Sequence, residues 1–142
     1  MTYEKSQIVI YWDTSAILST LITDTHSEEA QEWANKEGTH LLSSLAYAEV
    51  LAVLSRMKRE RMMADLFAGA ALQTLETGPW RRLNSGPEWN VMATLSKKWS
   101  LRGADLWHLS VAKSVCEQLP ELKVLTFDSR LKAAAHGEGI GL

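Results

Sequence analysis

Two short apolar runs, each closed by an aspartate, constrain the fold of this chain more than any other feature. The run of residues 8–12 precedes Asp13, and the run 124–127, within a predicted strand over 123–127, precedes Asp128. Short runs rich in β-branched and aromatic residues are typical of strands buried on both faces, as in parallel sheets. Because the carboxyl ends of parallel strands lie at one edge of the sheet, where ligands bind, we expect Asp13 and Asp128 to share that edge.

The rest of the chain alternates predicted helices with two further short strands, residues 40–43 and 80–83. Helices are predicted over residues 14–21, 44–59, 61–75, 85–99, 104–119 and 129–135. A further helix is predicted to begin at residue 27 and to be ended by Gly38. Thr14 and Ser15 are predicted to cap the helix over 14–21, and Ser44 the helix over 44–59. Residues 137–142 leave a final edge strand open. The pattern predicts an α/β fold, in which a short central parallel sheet is flanked by helices on both faces. We expect one domain over residues 1–142, with 1–7 as a polar N-terminal extension.

Two more carboxylates lie on the apolar faces of predicted helices. The neighbours of Glu49 three and four residues away are all apolar, and those of Asp105 on its C-terminal side are His108 and Leu109. A desolvated carboxylate is costly unless a positive group meets it. Asp105 also lies in a predicted first turn, where the helix dipole favours a negative charge.

A divalent cation would explain all four acids together. Carboxylates gathered in one place repel each other and raise each other's pKa values, whereas Mg²⁺ prefers oxygen ligands and keeps several waters. The sequence therefore predicts a metal-dependent enzyme acting on phosphodiesters, with Asp13, Glu49, Asp105 and Asp128 as metal ligands and catalytic residues. Structural roles stay open: the two strand-end aspartates can cap the helices that follow, and Asp105 can interact with its helix dipole. Glu49 is the hardest to explain as scaffold.

Composition limits which cellular locations are expected for this chain. The chain has 142 residues, of which 46% are hydrophobic, and its 15 basic and 17 acidic residues give a formal net charge of −2. One cysteine excludes an internal disulfide, and no apolar stretch approaches the roughly 18 residues of a membrane span. We therefore expect a cytoplasmic protein that does not enter membranes.

Around these acids the chain resembles the PIN-domain ribonucleases, and within them the VapC-type toxins of prokaryotic toxin–antitoxin pairs. The matching stretches are Ile10-Tyr-Trp-Asp13-Thr-Ser-Ala-Ile-Leu18, Ser44-Leu-Ala-Tyr-Ala-Glu49-Val-Leu51, Leu101-Arg-Gly-Ala-Asp105-Leu-Trp-His-Leu-Ser-Val-Ala112 and Leu125-Thr-Phe-Asp128-Ser-Arg-Leu131. The resemblance implies that the four acids form a Mg²⁺ or Mn²⁺ site, which the hydroxyls of Thr14 and Ser15 help to order. It also implies an endoribonuclease that is inhibited by a cognate antitoxin and is commonly a homodimer.

Contacts to RNA are expected from basic residues at the rim of the carboxylate edge, namely Arg102, Arg130 and Lys132. With the four acids set aside, 15 basic residues face 13 acidic ones, which is compatible with RNA binding. His108, one turn from Asp105, is the histidine that merits a test. Core packing is expected to explain most of the apolar residues Met57, Met62, Met63, Leu66 and Phe67, with a dimer face or an antitoxin groove as the alternative.

Other functions are less well matched. A phosphoryl-accepting receiver requires an acidic pair at the end of the first strand, but Trp12 precedes Asp13. A haloacid-dehalogenase-like phosphatase requires a second aspartate where Ser15 stands. A non-catalytic PIN-like module that binds RNA or protein remains the alternative.

Overall fold

The computed structural model describes residues 7–142, and a four-stranded parallel sheet lies at its centre. The strands are β1 (Ile8–Trp12), β2 (Gly38–Ser43), β3 (Trp80–Leu83) and β4 (Leu122–Leu125), in the order β3-β2-β1-β4. In the central strand β1, Trp12 pairs with Leu42 of β2 and with Leu125 of β4. The carboxyl ends of all four strands therefore lie at one edge.

Seven helices in the described part of the chain connect and cover these strands. They are α1 (Thr14–Leu21), α2 (Ser27–Ala34), α3 (Ser44–Arg59), α4 (Asp65–Thr77), α5 (Trp89–Lys98), α6 (Gly103–Cys116) and α7 (Ser129–Gly137). Within residues 7–142, none of them combines the length and apolar character that crossing a membrane requires.

Both faces of the sheet are buried, as alternate residues of β1 show. Val9 and Tyr11 belong to the apolar cluster under α6 and α7, whereas Ile10 and Trp12 belong to the cluster under α1 and α3. The side chains of Ile10, Tyr11 and Trp12 have no accessible surface. A strand without a polar face is typical of a parallel sheet between two helical layers. The predicted α/β fold with helices on both faces is confirmed.

Several predicted boundaries are wrong by a few residues. The last strand ends at Leu125 rather than 127, and the possible edge strand near the C-terminus is a single bridge between Val124 and Gly141. The helix predicted from residue 61 starts at Asp65, because Arg61 adopts a positive φ of 55° that a helix excludes. The predicted helix 85–99 starts at Trp89. Of the predicted extension, residues 1–6 lie outside the described residues.

The helix caps differ from prediction by a residue or two. Asp13 caps α1 through a hydrogen bond from the amide of Ala16, and Ser43 caps α3 through one from Ala46. Thr14 and Ser15, predicted as caps, are instead the first residues of α1, and Ser44 is the first residue of α3. Ser43 and Ser44 are both good cap residues by type, and Ser43 is the cap because its backbone is extended.

Candidate active site

The four acids singled out in the sequence line one cavity at the carboxyl edge of the sheet. Its volume is about 250 Å³. Asp13 directly follows β1, Asp128 lies three residues after β4 as the N-cap of α7, α3 supplies Glu49, and the first turn of α6 supplies Asp105. The complete lining is Asp13, Thr14, Ser15, Leu18, Glu49, Ala104, Asp105, His108 and Asp128.

Asp13 is the most buried of the four acids, with 3% of its surface exposed. Its Oδ1 accepts hydrogen bonds from the Ser15 hydroxyl at 2.7 Å and from the Ala16 amide at 2.9 Å, and its Oδ2 accepts one from Thr126 Oγ1 at 2.5 Å. Burial, with a smaller effect from the charge of Asp105, raises the pKa of Asp13 to about 6, although these hydrogen bonds act to lower it. The capping alternative is therefore true of Asp13, yet a cap on the protein surface would not have a raised pKa.

Two hydroxyls join the end of β1 to the segment that follows β4. Ser15 Oγ accepts a hydrogen bond from the amide of Phe127 at 3.0 Å, and Thr126 Oγ1 accepts one from the amide of Asp128 at 3.1 Å. The Asp128 carboxylate in turn caps α7, accepting from the Leu131 amide at 2.9 Å. These bonds fix the two strand-end carboxylates relative to each other.

Thr126 is a site residue that the sequence analysis missed. It is 3% exposed, and its hydroxyl serves both strand-end acids. In the sequence it reads as a β-branched residue of a strand. The signal that was available is a hydroxyl residue two positions before an aspartate at the end of a strand.

Glu49 is half-buried, with 37% of its side chain exposed, so it faces the cavity rather than the core. Its Oε1 accepts a hydrogen bond from Thr14 Oγ1 at 2.8 Å, and His108 Nε2 lies 3.4 Å from the same atom. Thr14 therefore ties α1 to α3 across the cavity, and the second carboxylate oxygen of Glu49 remains available to a ligand.

His108 connects Glu49 to the core of the sheet. It is 2% exposed, and its Nδ1 lies 2.6 Å from the hydroxyl of Tyr11. Burial raises the pKa of Tyr11, so its hydroxyl stays protonated. Because the Glu49 carboxylate can only accept, Nε2 carries the ring proton, and Nδ1 accepts a hydrogen bond from the Tyr11 hydroxyl. Burial lowers the pKa of His108 more than Glu49 raises it. We therefore assign a neutral imidazole that donates to Glu49 and orients it.

Asp105 completes the acidic lining from the N-terminal turn of α6. Its pKa is raised by partial burial first and then by the charges of Asp128 and Glu49, and the guanidinium of Arg102 lowers it. The acids are therefore near enough to repel one another. A bound cation would relieve this repulsion.

The donor set fits a hydrated hard cation. Among residues 7–142, no three Asp, Glu, His or Cys side chains are arranged to hold a single ion directly. Mg²⁺ usually binds through one or two carboxylates and keeps its remaining waters. A cavity of about 250 Å³ lined by four carboxylates has room for such an ion and its waters.

The predicted RNA contacts lie at this edge and are exposed. Arg102 immediately precedes α6, and Arg130 and Lys132 lie in the first turns of α7. Their role in binding RNA stays a prediction.

A second concave surface lies between α4 and the end of α1, with a volume of about 490 Å³. Met62 and Phe67 line it and are each 66% exposed, and Leu66 beside them is 79% exposed. Met57 and Met63 are partly buried. Core packing therefore does not account for all of this apolar segment.

Comparison of the sequence with known proteins gives one matching family. The family model described as PIN domain matches residues 10–137. Ribonuclease VapC45 and ribonuclease VapC49, from two strains of Mycobacterium tuberculosis, are each 32% identical to the chain over 136 residues. Each alignment covers 92% of this chain and 92% of the relative.

Solved structures with the same fold include three at lower sequence identity. PAE2754 from Pyrobaculum aerophilum has a TM-score of 0.64 at 19% identity, covering 92% of this chain and 87% of its own. Mycobacterium tuberculosis VapC20, described as a sarcin–ricin loop cleaving toxin, has a TM-score of 0.60 at 17% identity, covering 88% and 94%. VapBC2 from Rickettsia felis, solved with a DNA fragment from its promoter, has a TM-score of 0.54 at 14% identity, covering 83% and 98%.

Proposed function

The chain belongs to the PIN-domain family, with VapC ribonucleases as relatives, and from this we propose that it is an endoribonuclease toxin that hydrolyses RNA phosphodiesters at the carboxylate cavity. The observation that carries the proposal is the convergence of Asp13, Glu49, Asp105 and Asp128 on one cavity. Residues that are up to 115 positions apart in sequence meet there.

The chain's own residues hold the site in order before any substrate arrives. Thr126 and Ser15 fix both oxygens of Asp13, and Thr14 and His108 fix one oxygen of Glu49. Fixed groups do not have to reorganise during the reaction, which is how preorganised sites stabilise developing charge.

We propose that the four carboxylates hold one or two Mg²⁺ ions, with Mn²⁺ as an alternative. Such an ion, when bound, lowers the pKa of a coordinated water and stabilises negative charge on the phosphate. The free oxygens of Glu49 and Asp128 and the whole carboxylate of Asp105 are the groups best placed to bind it, since no hydrogen bond from residues 7–142 occupies them.

The test is cleavage of total RNA by the purified protein, with and without Mg²⁺, followed by mapping of the new ends. We expect a defined set of metal-dependent ends. Asp105→Asn should lower the cleavage rate by about 100-fold or more, because it removes a ligand charge from the cavity. Asp65→Asn is the matched control: Asp65 also lies in the first turn of a helix, but it is exposed on α4.

Two outcomes would contradict the proposal. Full activity of Asp105→Asn would remove the cavity from the mechanism. RNA binding without metal-dependent ends would favour the alternative, a PIN-like binding module without catalytic activity.

We further propose a cognate antitoxin as protein partner, a homodimer as the working assembly and the cytoplasm as the place of action. The exposed apolar side chains of α4 offer a surface on which a protein partner can dock. Gel filtration tests the assembly, and a monomer at micromolar concentration would contradict the dimer.

A further inference from the structure

Two stacked aromatic rings, one exposed and one partly buried, lie on segments that adjoin residues of the carboxylate cavity in sequence. The imidazole of His26 and the ring of Phe127 are 4.4 Å apart between centroids and only 6° from parallel. His26, just before α2, is exposed, whereas Phe127 is partly buried and packs against the apolar cluster that contains Trp12 and Ile17. One face of the imidazole covers Phe127, and no other described ring covers the second face.

The pair is anchored to the site on the Phe127 side. The Phe127 amide donates to Ser15 Oγ at 3.0 Å, and this hydroxyl donates to Asp13 at 2.7 Å. The next residue, Asp128, lines the cavity itself. Phe127 and Asp128 are consecutive residues with Cα atoms about 3.8 Å apart, so the backbone that carries the stack also carries a carboxylate of the cavity.

The loop that carries His26 is also hydrogen-bonded to the body of the domain. The His26 amide donates to Asp24 Oδ1 at 2.8 Å, and Asp24 Oδ2 accepts from the hydroxyl of Ser19 at 2.8 Å. Ser19 lies in α1 and is 3% exposed. The loop that carries His26 is thus hydrogen-bonded to a buried residue, and the ring itself is positioned by its stacking on Phe127.

From this geometry we propose that the His26–Phe127 stack is a base-stacking platform for an unpaired nucleotide that flanks the scissile phosphate of the RNA. Single-stranded RNA is commonly recognised by stacking of splayed bases on aromatic and histidine rings. Arg130, exposed three residues beyond Phe127, can contact the adjoining phosphate. The inference rests on the proposed ribonuclease function and names a substrate feature, a stackable base next to the cut.

The experiment measures binding of a fluorescein-labelled oligoadenylate of about ten nucleotides, in Mg²⁺, to proteins that all carry Asp105→Asn to prevent cleavage. His26→Ala should weaken binding by about tenfold, equivalent to about 1.4 kcal/mol. His26→Phe keeps a ring and should bind within about twofold of the parent. Phe127→Leu keeps apolar volume in the core and should weaken binding as His26→Ala does.

The control is Trp89→Ala, which also removes an exposed ring. Trp89 is 86% exposed, and the amide of the preceding residue, Glu88, contacts Ser114 of α6. Ser114 is nine residues along α6 from Asp105, which places these two residues about 13 Å apart along the helix. This variant should bind as the parent does.

A scan with a single abasic position in the oligonucleotide identifies the base. Removal of the base at one position should lower the affinity of the parent and should not change the affinity of His26→Ala. The proposal is overturned if His26→Ala binds within about twofold of the parent, if His26→Phe fails to restore binding, or if the abasic and alanine effects simply add. In each case metal-dependent cleavage by the unmodified protein would be unaffected, so the ribonuclease proposal would stand.

Discussion

Replacement of Asp13 by asparagine should make the protein more stable at neutral pH, and by an amount that depends on pH. Burial raises the pKa of Asp13 from 3.8 to about 6. Below pH 3.8 both the folded and unfolded states hold the proton, and the burial has no ionisation cost. Above pH 6 the folded state must bury a charge, which lowers the free energy of unfolding by about 3 kcal/mol. Stability therefore falls as the pH rises through this window.

Asparagine cannot ionise, so the variant lacks this penalty. Its side-chain oxygen can still accept from Ser15 and Ala16, and its amide can donate to Thr126 Oγ1. From the two pKa values, the penalty is about 1 kcal/mol at pH 4.5 and about 3 kcal/mol at pH 7.5. The stabilising effect of the substitution should thus be about 2 kcal/mol larger at the higher pH, whatever the fixed cost of the altered hydrogen bonds.

Urea unfolding of both proteins in EDTA at these two pH values measures the difference without bound metal. Asp65→Asn, at an exposed position, is the control and should show no comparable pH dependence. A stability difference between Asp13→Asn and the parent that is equal at both pH values, within about 0.5 kcal/mol, would refute the idea that a buried charge at Asp13 destabilises the fold.

Three further changes test other contacts of the site. Thr126→Val leaves a backbone amide and a carboxylate oxygen without their hydroxyl partner, so the free energy of unfolding should fall by about 1–3 kcal/mol in urea titrations, and cleavage should slow. His108→Phe removes the acceptor of the buried Tyr11 hydroxyl, so the free energy of unfolding should fall by a similar amount, and adding Tyr11→Phe should recover part of it. A double variant less stable than the single one would contradict the assignment of this bond. Arg130→Gln should reduce the slope of log affinity against log salt by about 0.7 in filter-binding measurements on single-stranded RNA, while Arg59→Gln at the end of α3 leaves the slope unchanged. An unchanged slope for Arg130→Gln would remove it from the RNA interface.

The residues that dominate the core were predictable from the sequence because their pattern has one physical solution. A run such as residues 8–12, without a polar position, can be satisfied only by burial on both faces. The same reasoning placed Asp13 and Asp128 at one edge, and the apolar surroundings of Glu49 and Asp105 led to the cavity that they line.

What the sequence did not reveal depends on tertiary geometry. The hydrogen bond between Thr126 and Asp13 joins residues 113 positions apart and exists only because β1 and β4 are neighbours. The partial exposure of the Glu49 side chain was not predicted either. The spacing of apolar residues along a helix does not show whether its inward face meets the core or a cavity. Caps were misplaced because neighbouring Asp, Ser and Thr residues have similar preferences for the cap position.

The pairing of the first strand with the last has a consequence for biosynthesis. During translation β1 is made before its neighbour β4 and before the Thr126 hydroxyl that binds Asp13, both of which follow residue 121. A ribosome that stalls or a message that is cut before that point releases a polypeptide without a complete carboxylate cluster. We therefore expect products that end before residue 122 to leave RNA intact, because the four-carboxylate cavity can assemble only after Asp128 has been made.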